Sequence, residues 1–449
     1  SNMIKNSILT ITVLSLGVSA LAEDWPNWRG PNYNGATSSN NLPVKFSKTE
    51  NIAWQIELPG PGAGTPIILG DRVFLSSARI ENAASGKGQL LALCLDRKTG
   101  KTMWERNAGS GYRPNGDGAD YRLDNRGTYA SPSPVTDGET VVFFYGNGDL
   151  VGFNMKGDKL WARNIQKDYG DFTFQWTFSA TPTLYEDKLY LPVLQRDEPV
   201  HGRGKANNPS FILAMEPKTG KTLWKHVRPS EANKESLESF GTIIPHNGEL
   251  LIAGGDVLTG HNPDNGKENW RSGTWNPGHR EQWWRLVPSP VAGDGVVLVC
   301  APKKQPVYAF NPDKGADLIW KSEGQISNNK DILTSDVATP LYYEGKFFVV
   351  YGEGRDKTIA ACEPKTGKIL WTTDLNSNKL VRCSPTAADG KIYLQNHGGE
   401  VYVLESKSGK ILHRTEMGES RDDQIRSSIA IAGDQLFIRT NTKLYCVGK

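Results

Sequence analysis

Eight charged or aromatic residues stand directly before a series of short apolar segments: Arg126, Trp176, Glu238, Trp284, Arg285, Asp336, Arg382 and Arg426. Arginine forks bind carboxylate and phosphate groups, and indole rings offer flat apolar surfaces to a ligand. If the fold brings these side chains together, they form a polar pocket with aromatic platforms, suited to a sugar, an anionic small molecule or a peptide segment. The alternative is that the charges only neutralise one another.

Two further points bear on the chemistry of this set. Glu238 and Asp336 are carboxylates that could act as an acid and base pair on a carbohydrate. Trp283 and Trp284 are adjacent, so in an extended segment their rings face opposite ways and only one can contact a ligand. We assign Trp284 to the pocket.

The cysteines and histidines indicate neither a catalytic site nor a metal site. The five cysteines lie in apolar segments, where a thiol behaves as a small hydrophobic group: Cys94, Cys300, Cys362, Cys383 and Cys446. One disulfide among them is possible, and the sequence does not assign it. The seven histidines lack the spacing of a zinc site. We therefore predict no catalytic residue, no metal and no cofactor; the carboxylates Asp117, Asp120 and Asp124 fit a solvated loop better than a Ca²⁺ site.

The elements that must position the candidate residues are marked by repeated tryptophans. "KTGKTMWERN", "KTGKTLWKHV" and "KTGKILWTTD" place the same turn before the same ring, and weaker copies complete the series. The tryptophans of the series are Trp54, Trp104, Trp161, Trp224, Trp270, Trp320 and Trp371, and His413 stands at the eighth position. Upstream of each ring, short apolar segments alternate with Asp-Gly and similar turns, which predicts four strands per repeat.

The repeat length predicts the fold. The 399 residues from Asn51 to Lys449 divide into eight units of about 50 residues, typical of four-stranded propeller blades. We predict an all-β, eight-bladed propeller of antiparallel blades, in which the N-terminal strand around Trp54 completes the last blade. The tryptophans fill the space between blades, and the smaller ring of His413 predicts a weaker contact there.

Long insertions fall only at some turns. The turns between the first and second strands and between the third and fourth strands are short, whereas the insertions lie between second and third strands or between blades. In an up-and-down blade these two groups of turns lie on opposite faces. We call them the short-turn face and the loop-rich face, and we expect function on the loop-rich face.

The N-terminus indicates export. After Lys5 the apolar segment "SILTITVLSLGVSALA" is too short for a comfortable membrane span and ends in small residues. We predict a tag remnant and signal peptide over residues 1–22, cleaved after Ala22, an extension over 23–50 and the propeller over 51–449. The expected location is the periplasm or the outside of the cell, with no membrane span. The net charge of +3 offers no basic excess for nucleic acid.

"AMEPKTGKTLW" resembles the tryptophan-docking motif of the eight-bladed quinoprotein, or PQQ-like, propellers in its residues Ala214, Glu216, Thr219, Gly220 and Trp224. Ala361, Glu363, Thr366, Gly367 and Trp371 repeat the motif. The leader "DWPNWRGPNYNG" is similar to that of secreted bacterial members. The resemblance implies the fold, and it includes both quinone-dependent dehydrogenases and a non-catalytic assembly lipoprotein.

The dehydrogenases of that family commonly clamp the quinone against a disulfide between neighbouring cysteines, and no two cysteines are adjacent here. We therefore predict a monomeric, non-catalytic binding or assembly scaffold that takes a protein or a small polar or carbohydrate ligand on its loop-rich face. Two alternatives remain open: a dehydrogenase that uses PQQ with calcium, and a carbohydrate-active enzyme.

Overall fold

The computed structural model describes residues 24–111, 127–323 and 333–449. These residues form eight four-stranded antiparallel sheets, each built from consecutive strands except the last. The prediction of an all-β, eight-bladed propeller is confirmed. The predicted signal peptide, Arg126 and the aspartates at 117, 120 and 124 lie outside the described residues.

The first four blades contain strands β2 to β17. Blade 1 consists of β2 (Ile67–Leu69), β3 (Arg72–Asn82), β4 (Lys87–Asp96) and β5 (Thr102–Ser110). Blade 2 consists of β6 (Val135–Thr136), β7 (Thr140–Phe144), β8 (Asp149–Asn154) and β9 (Lys159–Asn164). Blade 3 consists of β10 (Thr183–Tyr185), β11 (Lys188–Val193), β12 (Phe211–Met215) and β13 (Thr222–Val227). Blade 4 consists of β14 (Ile244–His246), β15 (Glu249–Gly254), β16 (Val257–His261) and β17 (Glu268–Arg271).

The remaining blades contain strands β18 to β32 and the first strand of the chain. Blade 5 consists of β18 (Val291–Gly293), β19 (Val296–Cys300), β20 (Val307–Asn311) and β21 (Asp317–Lys321). Blade 6 consists of β22 (Leu341–Tyr343), β23 (Lys346–Tyr351), β24 (Thr358–Cys362) and β25 (Ile369–Asp374). Blade 7 consists of β26 (Thr386–Ala388), β27 (Lys391–Gln395), β28 (Glu400–Glu405) and β29 (Ile411–Glu416). Blade 8 consists of β30 (Ala430–Ala432), β31 (Gln435–Arg439), β32 (Lys443–Val447) and β1 (Ile52–Glu57).

Blade 8 closes the ring as predicted, because β1 pairs with β32 and places Trp54 opposite Cys446. This pairing covers an edge that would otherwise remain open to other chains. Helical segments are short: α1 (Ile165–Tyr169) follows β9, and 3-10 turns occupy Lys234–Leu237, Pro277–His279 and Pro312–Lys314. In the described part of the chain, no helix is long and apolar enough to cross a membrane.

Burial explains the apolar segments of the sequence. The central strands of a blade are covered on both sides by neighbouring blades, and all five residues of β7 and of β12 are buried. The outermost strands alternate instead, as in β13, where Leu223 and Val227 are exposed. Strands covered on both sides need continuous apolar sequence, and strands covered on one side need alternation.

Each docked tryptophan ties one blade to the next. Trp161 donates its indole N–H to the carbonyl of Pro217, 2.7 Å away in blade 3. Its ring packs on Gly220, where an added Cβ would lie 2.4 Å from the indole. The residue opposite the ring in the neighbouring strand is Gly152, which leaves room for it. Trp54, Trp104, Trp224, Trp320 and Trp371 likewise donate to carbonyls of the following blade.

Two positions depart from this pattern. Trp270 donates to the Glu249 carboxylate of its own blade. In the next blade, Ala316 takes the place of the docking glycine four residues before the tryptophan, and Gly315 has no atom within 4 Å of an added Cβ. His413 does not contact a glycine turn, because its Nε2 lies 2.8 Å from the carbonyl oxygen of Phe46, whose ring packs edge-on against the imidazole. The eighth position is therefore matched to the N-terminal extension rather than under-filled.

A belt of hydroxyl groups links the blades near the axis. At six blade junctions a backbone N–H donates to the Ser or Thr hydroxyl of another blade: Thr65 to Ser133, Ser133 to Thr181, Thr242 to Ser289, Ser289 to Thr339, Thr339 to Ser384, and Ser428 to Thr65. Apart from Thr242, which precedes Ile243, these residues belong to the "TP", "SP" and "SS" pairs that open the inner strands. The belt satisfies the N–H groups that the short inner strands leave unpaired.

The described part of the extension, residues 24–50, crosses the short-turn face. Asp24 accepts from the backbone of Gly70, in the first turn of blade 1, and pairs with Arg97, in its last turn. Farther along, the Tyr33 hydroxyl donates to Leu184 in blade 3, and the Tyr393 hydroxyl of blade 7 donates to Pro43. The extension thus runs across several blades before it enters β1.

Candidate functional site

A cleft at the centre of the ring opens on the loop-rich face and encloses about 1150 Å³, including the part open to solvent. All eight blades contribute to its wall. The lining residues are Ala63, Gly127, Ser131, Ser133, Trp176, Thr177, Ser179, Thr181, Phe240, Thr242, Arg285, Val287, Val337, Arg382, Ser384 and Arg426, together with Trp28 of the extension.

Trp28 forms the floor of this cleft. Its indole N–H donates to the Ser428 hydroxyl at 3.2 Å, which fixes the ring beneath the inner strands. The next residue, Arg29, is fully buried and donates to the carbonyls of Pro340 and Pro385. Because the extension occupies the axis on the short-turn face, a ligand reaches the cleft from the loop-rich face.

The cleft has two chemically different sides. Trp176 and Phe240, from blades 3 and 4, supply an aromatic side. Arg285, Arg382 and Arg426, from blades 5, 7 and 8, supply a cationic side. Four of the eight residues that the sequence singles out therefore share this wall; whether they bind a ligand stays a prediction.

The other four have different places. Trp284 does not line the cleft, because it packs against the hydrophobic core of blades 4 and 5 while its backbone N–H donates to the Ser236 hydroxyl. Trp283 is the exposed ring of the pair, and it lies beside the Arg196 guanidinium. The sequence-based assignment of Trp284 to the pocket is therefore corrected, because local loop geometry, rather than strand alternation, directs the Trp284 ring into the core. Arg126 lies outside the described residues, and the two carboxylates are tied to arginines.

Asp336 is bound by Arg285 through two parallel hydrogen bonds of 2.9 Å each, and it also accepts the backbone N–H of Lys303. Burial opposes ionisation of the carboxyl, but the hydrogen bonds and charge of Arg285 hold the pKa of Asp336 below its usual value. Burial likewise opposes the charge of Arg285, and Asp336 raises its pKa. The pair stays ionised over the physiological range.

Arg382 is held in the same manner by Glu353, through bonds of 2.8 and 3.0 Å. Arg426 donates to the side-chain oxygen of Gln424 at 2.9 Å. Pairing fixes the direction of the guanidinium forks, and a fixed fork loses little entropy when it binds a carboxylate or phosphate. Arg285 and Arg382 are thus paired with carboxylates, as the charge-neutralisation alternative expects, and both also line the cleft.

Glu238 is completely buried and holds three segments of the loop-rich face together. It accepts from the Nε–H of Arg196 at 2.9 Å, with Nη2 of the same guanidinium 2.7 Å away, and from the backbone N–H of Gln175 at 2.6 Å. Burial raises the pKa of Glu238 to about 8, against the opposite effects of Arg196 and Gln175. Because Gln175 precedes Trp176, Glu238 positions the aromatic wall, and it has no access to a substrate in the cleft.

Sequence reasoning missed the floor and the hydroxyls of the cleft. Trp28 lies in the extension, whose "DWPNWRGPNYNG" gives no strand or helix period from which its path could follow. The hydroxyl belt did leave a signal, because Ser-Pro or Thr-Pro recurs at the start of most inner strands.

The donor set of the described residues does not fit PQQ with calcium. Calcium needs several oxygen ligands, and the described lining contains no carboxylate. No group of three or more His, Cys, Asp or Glu side chains in the described ranges is arranged to hold a metal. All five cysteines are buried free thiols, and none lines the cleft, so the disulfide clamp has no counterpart there.

Sequence comparison places the fold in a known family. A family model described as "Outer membrane protein assembly factor BamB" matches residues 36–191, 172–336 and 303–448. A polyvinylalcohol dehydrogenase of Pseudomonas sp. is 21% identical over 494 residues, covering 93% of this chain and 73% of that protein. The assembly factor BamB of Yersinia pestis is 23% identical over 239 residues, covering 48% of this chain and 55% of that protein.

A europium-containing methanol dehydrogenase of known structure superposes with a TM-score of 0.68 at 12% identity, covering 95% of this chain and 98% of that one. This likeness concerns the fold alone. Because the family model spans nearly the whole described chain, and because the tryptophan docking recurs blade after blade, the chain belongs to the PQQ-like, BamB-type family of eight-bladed β-propellers.

Proposed function

We propose that this protein is an exported, non-catalytic binding or assembly scaffold that receives an anionic ligand in the cleft of its loop-rich face. One observation carries the proposal: the cleft is closed below by Trp28 and lined on one side by Arg285, Arg382 and Arg426. A blind cleft with oriented guanidinium groups suits retention of an anion.

Binding is favoured over catalysis by the side chains at hand. The described lining offers arginines, hydroxyls, aromatic rings and aliphatic groups, and it includes no carboxylate, histidine, cysteine or lysine. General acid–base chemistry needs a group that titrates near neutral pH within reach of the substrate. Glu238, whose pKa is raised, is sealed beneath the loops.

The assembly part of the proposal rests on sequence similarity to known proteins. The family model and the Yersinia pestis relative are both named as outer membrane protein assembly factors. The Pseudomonas relative is named as a dehydrogenase, which keeps a redox function as the competing candidate. The misfit between the described donor set and calcium-bound PQQ supports the scaffold over the dehydrogenase.

The test is a ligand screen on the purified full chain by thermal denaturation. Citrate, phthalate, glucuronate, sulfate and PQQ with Ca²⁺ are each added at millimolar or, for PQQ, micromolar concentration. A ligand that binds only the folded state raises the melting temperature, by an amount set by its concentration relative to Kd. Val337→Trp fills the cleft, and Val227→Trp, on the exposed outer strand β13, is the matched control.

We expect at least one anion to raise the melting temperature of the wild type and of Val227→Trp but not of Val337→Trp. Stabilisation that persists in Val337→Trp would place binding elsewhere and refute the proposed site. Dye reduction with alcohols or aldoses after loading with PQQ and Ca²⁺, lost in Val337→Trp, would establish the dehydrogenase instead.

A further inference from the structure

His397 lies between the two arginines of blades 7 and 8 that line the cleft. It occupies the turn between β27 and β28, and its backbone N–H donates to Leu380, two residues before Arg382. Its carbonyl accepts from Ile425, the residue directly before Arg426. The backbone of one turn therefore holds His397 against both segments that carry these arginines.

The imidazole is buried and polar, with an unused nitrogen. Only 2% of the residue is exposed, and its Nε2 has no hydrogen-bond partner among the described residues. Burial, followed by the charges of Arg426 and Arg382, lowers the pKa of His397 to about 3, so the ring is neutral at physiological pH. The neutral ring therefore occupies the space beside the two arginine-bearing segments without adding a third positive charge.

The same cleft presents hydroxyl donors to a ligand. Ser133, Thr181 and Ser384 line it, and each accepts a backbone N–H from another blade. A hydroxyl that accepts such a bond keeps its own hydrogen for donation. The hydroxyls therefore line the same cleft as Trp176 and are available as hydrogen-bond donors. A purely aromatic ligand offers no acceptor for them.

We propose that the ligand of this cleft is an acidic saccharide whose carboxylate or sulfate is bound by Arg382 and Arg426, the two arginines whose segments the His397 turn holds together. The proposal rests on the proposed binding function and specifies its ligand class. The anionic oxygens accept from both guanidinium groups. The apolar face of the sugar ring packs on Trp176, and its hydroxyls accept from the hydroxyl belt.

The test is calorimetric titration of the full chain with four probes: galacturonic acid disaccharide, glucose 6-sulfate, the neutral galactose disaccharide and phthalate. We expect an acidic sugar to bind at least tenfold more tightly than the neutral sugar or phthalate. Comparing the first two probes shows whether carboxylate or sulfate is the natural group. Hydrogen bonds to a charged ligand predict a loss of about 10- to 100-fold in Arg426→Gln.

Matched controls separate binding from folding. Arg414→Gln removes an arginine of the outer strand of blade 7, and Trp283→Ala removes the exposed ring that does not line the cleft. Both should bind like the wild type, whereas Trp176→Ala should bind about tenfold more weakly. Trp176→Ala also provides the test if Arg426→Gln fails to fold.

The outcomes distinguish this inference from the binding function beneath it. Phthalate binding more tightly than either acidic sugar, with the same dependence on Arg426, overturns the saccharide and leaves anion binding in place. Acidic sugars that bind the Arg426→Gln and Trp176→Ala variants as tightly as the wild type overturn both. Absence of binding by both acidic sugars also overturns the inference.

Discussion

The contact between a docked tryptophan and the turn glycine of the next blade can be tested with two glycines in equivalent turns. Gly220 has φ +72° and an added Cβ would lie 2.4 Å from the Trp161 ring. Gly315 has φ +63°, and no atom lies within 4 Å of its added Cβ; in its turn the position four residues before the tryptophan, which Gly220 holds in blade 3, is taken by Ala316. Alanine therefore meets backbone strain at both positions but a steric clash only at Gly220.

The two substitutions have different expected magnitudes. A left-handed conformation costs an alanine about 1 kcal/mol, which applies equally to Gly220→Ala and Gly315→Ala. Overpacking against the buried indole adds about 1 to 3 kcal/mol at Gly220 alone. Unfolding entropy scales with length, so for a chain of this size each kcal/mol shifts Tm by about 1 °C.

Differential scanning calorimetry of the two variants measures this difference. We expect Gly315→Ala to lower Tm by about 1 °C and Gly220→Ala by about 2 to 4 °C. Gly220→Ala combined with Trp161→Ala should cost less than the sum of the single changes, because the cavity accommodates the new methyl group. Equal shifts for the two glycines, or simple additivity in the double variant, would refute the docking interpretation.

Three further predictions concern the extension and the buried histidines. His413→Trp should lower Tm in calorimetry, because it breaks the contact with Phe46, and Phe46→Ala should also lower Tm. A higher Tm for His413→Trp would show instead that the imidazole leaves space unfilled between blades 7 and 8. A chain without residues 24–57 should melt well below the full chain, since it lacks β1 and the floor; unchanged melting would contradict closure. Burial lowers the pKa of His261 to about 4 and of His397 to about 3. Below pH 6.5 the unfolded chain therefore binds protons at these histidines that the folded chain does not bind, and stability falls with pH. By urea denaturation we expect the free energy of unfolding at pH 5.5 to be about 1.4 kcal/mol lower per histidine than at neutral pH, with a smaller loss in His397→Asn. Equal losses in both proteins would contradict the assignment to His397.

The fold followed from the sequence because the signal repeats. A tryptophan such as Trp161 must meet a small residue in the neighbouring strand and a glycine in the next blade, and these restrictions recur about every 50 residues. The closure by β1 followed because each end of the chain carries a complementary part of one repeat. Packing restrictions that recur at a fixed spacing can be recognised from the sequence alone.

The cleft was only partly predictable, since its parts come from segments without a period. Arg285, Arg382 and Arg426, chosen by their position before the inner strands, line the cleft, and their role in binding stays a prediction. A hydrogen bond from the Trp284 backbone N–H to Ser236 fixes the loop that turns Trp283 outward. The alternation of side chains along a strand does not predict such a contact. Likewise, Trp28 reaches the axis through contacts with residues hundreds of positions away, and local sequence does not encode such a path.

Hydrogen–deuterium exchange tests the central claim most directly, namely that the loop-rich mouth of the ring is the binding site. The full chain is compared with and without the anion from the ligand screen that raises its melting temperature most. We predict slower exchange in residues 174–181, 284–287 and 380–384, which carry the cleft wall into the inner strands. Slower exchange confined to the short-turn face or to the outer strands would contradict the account.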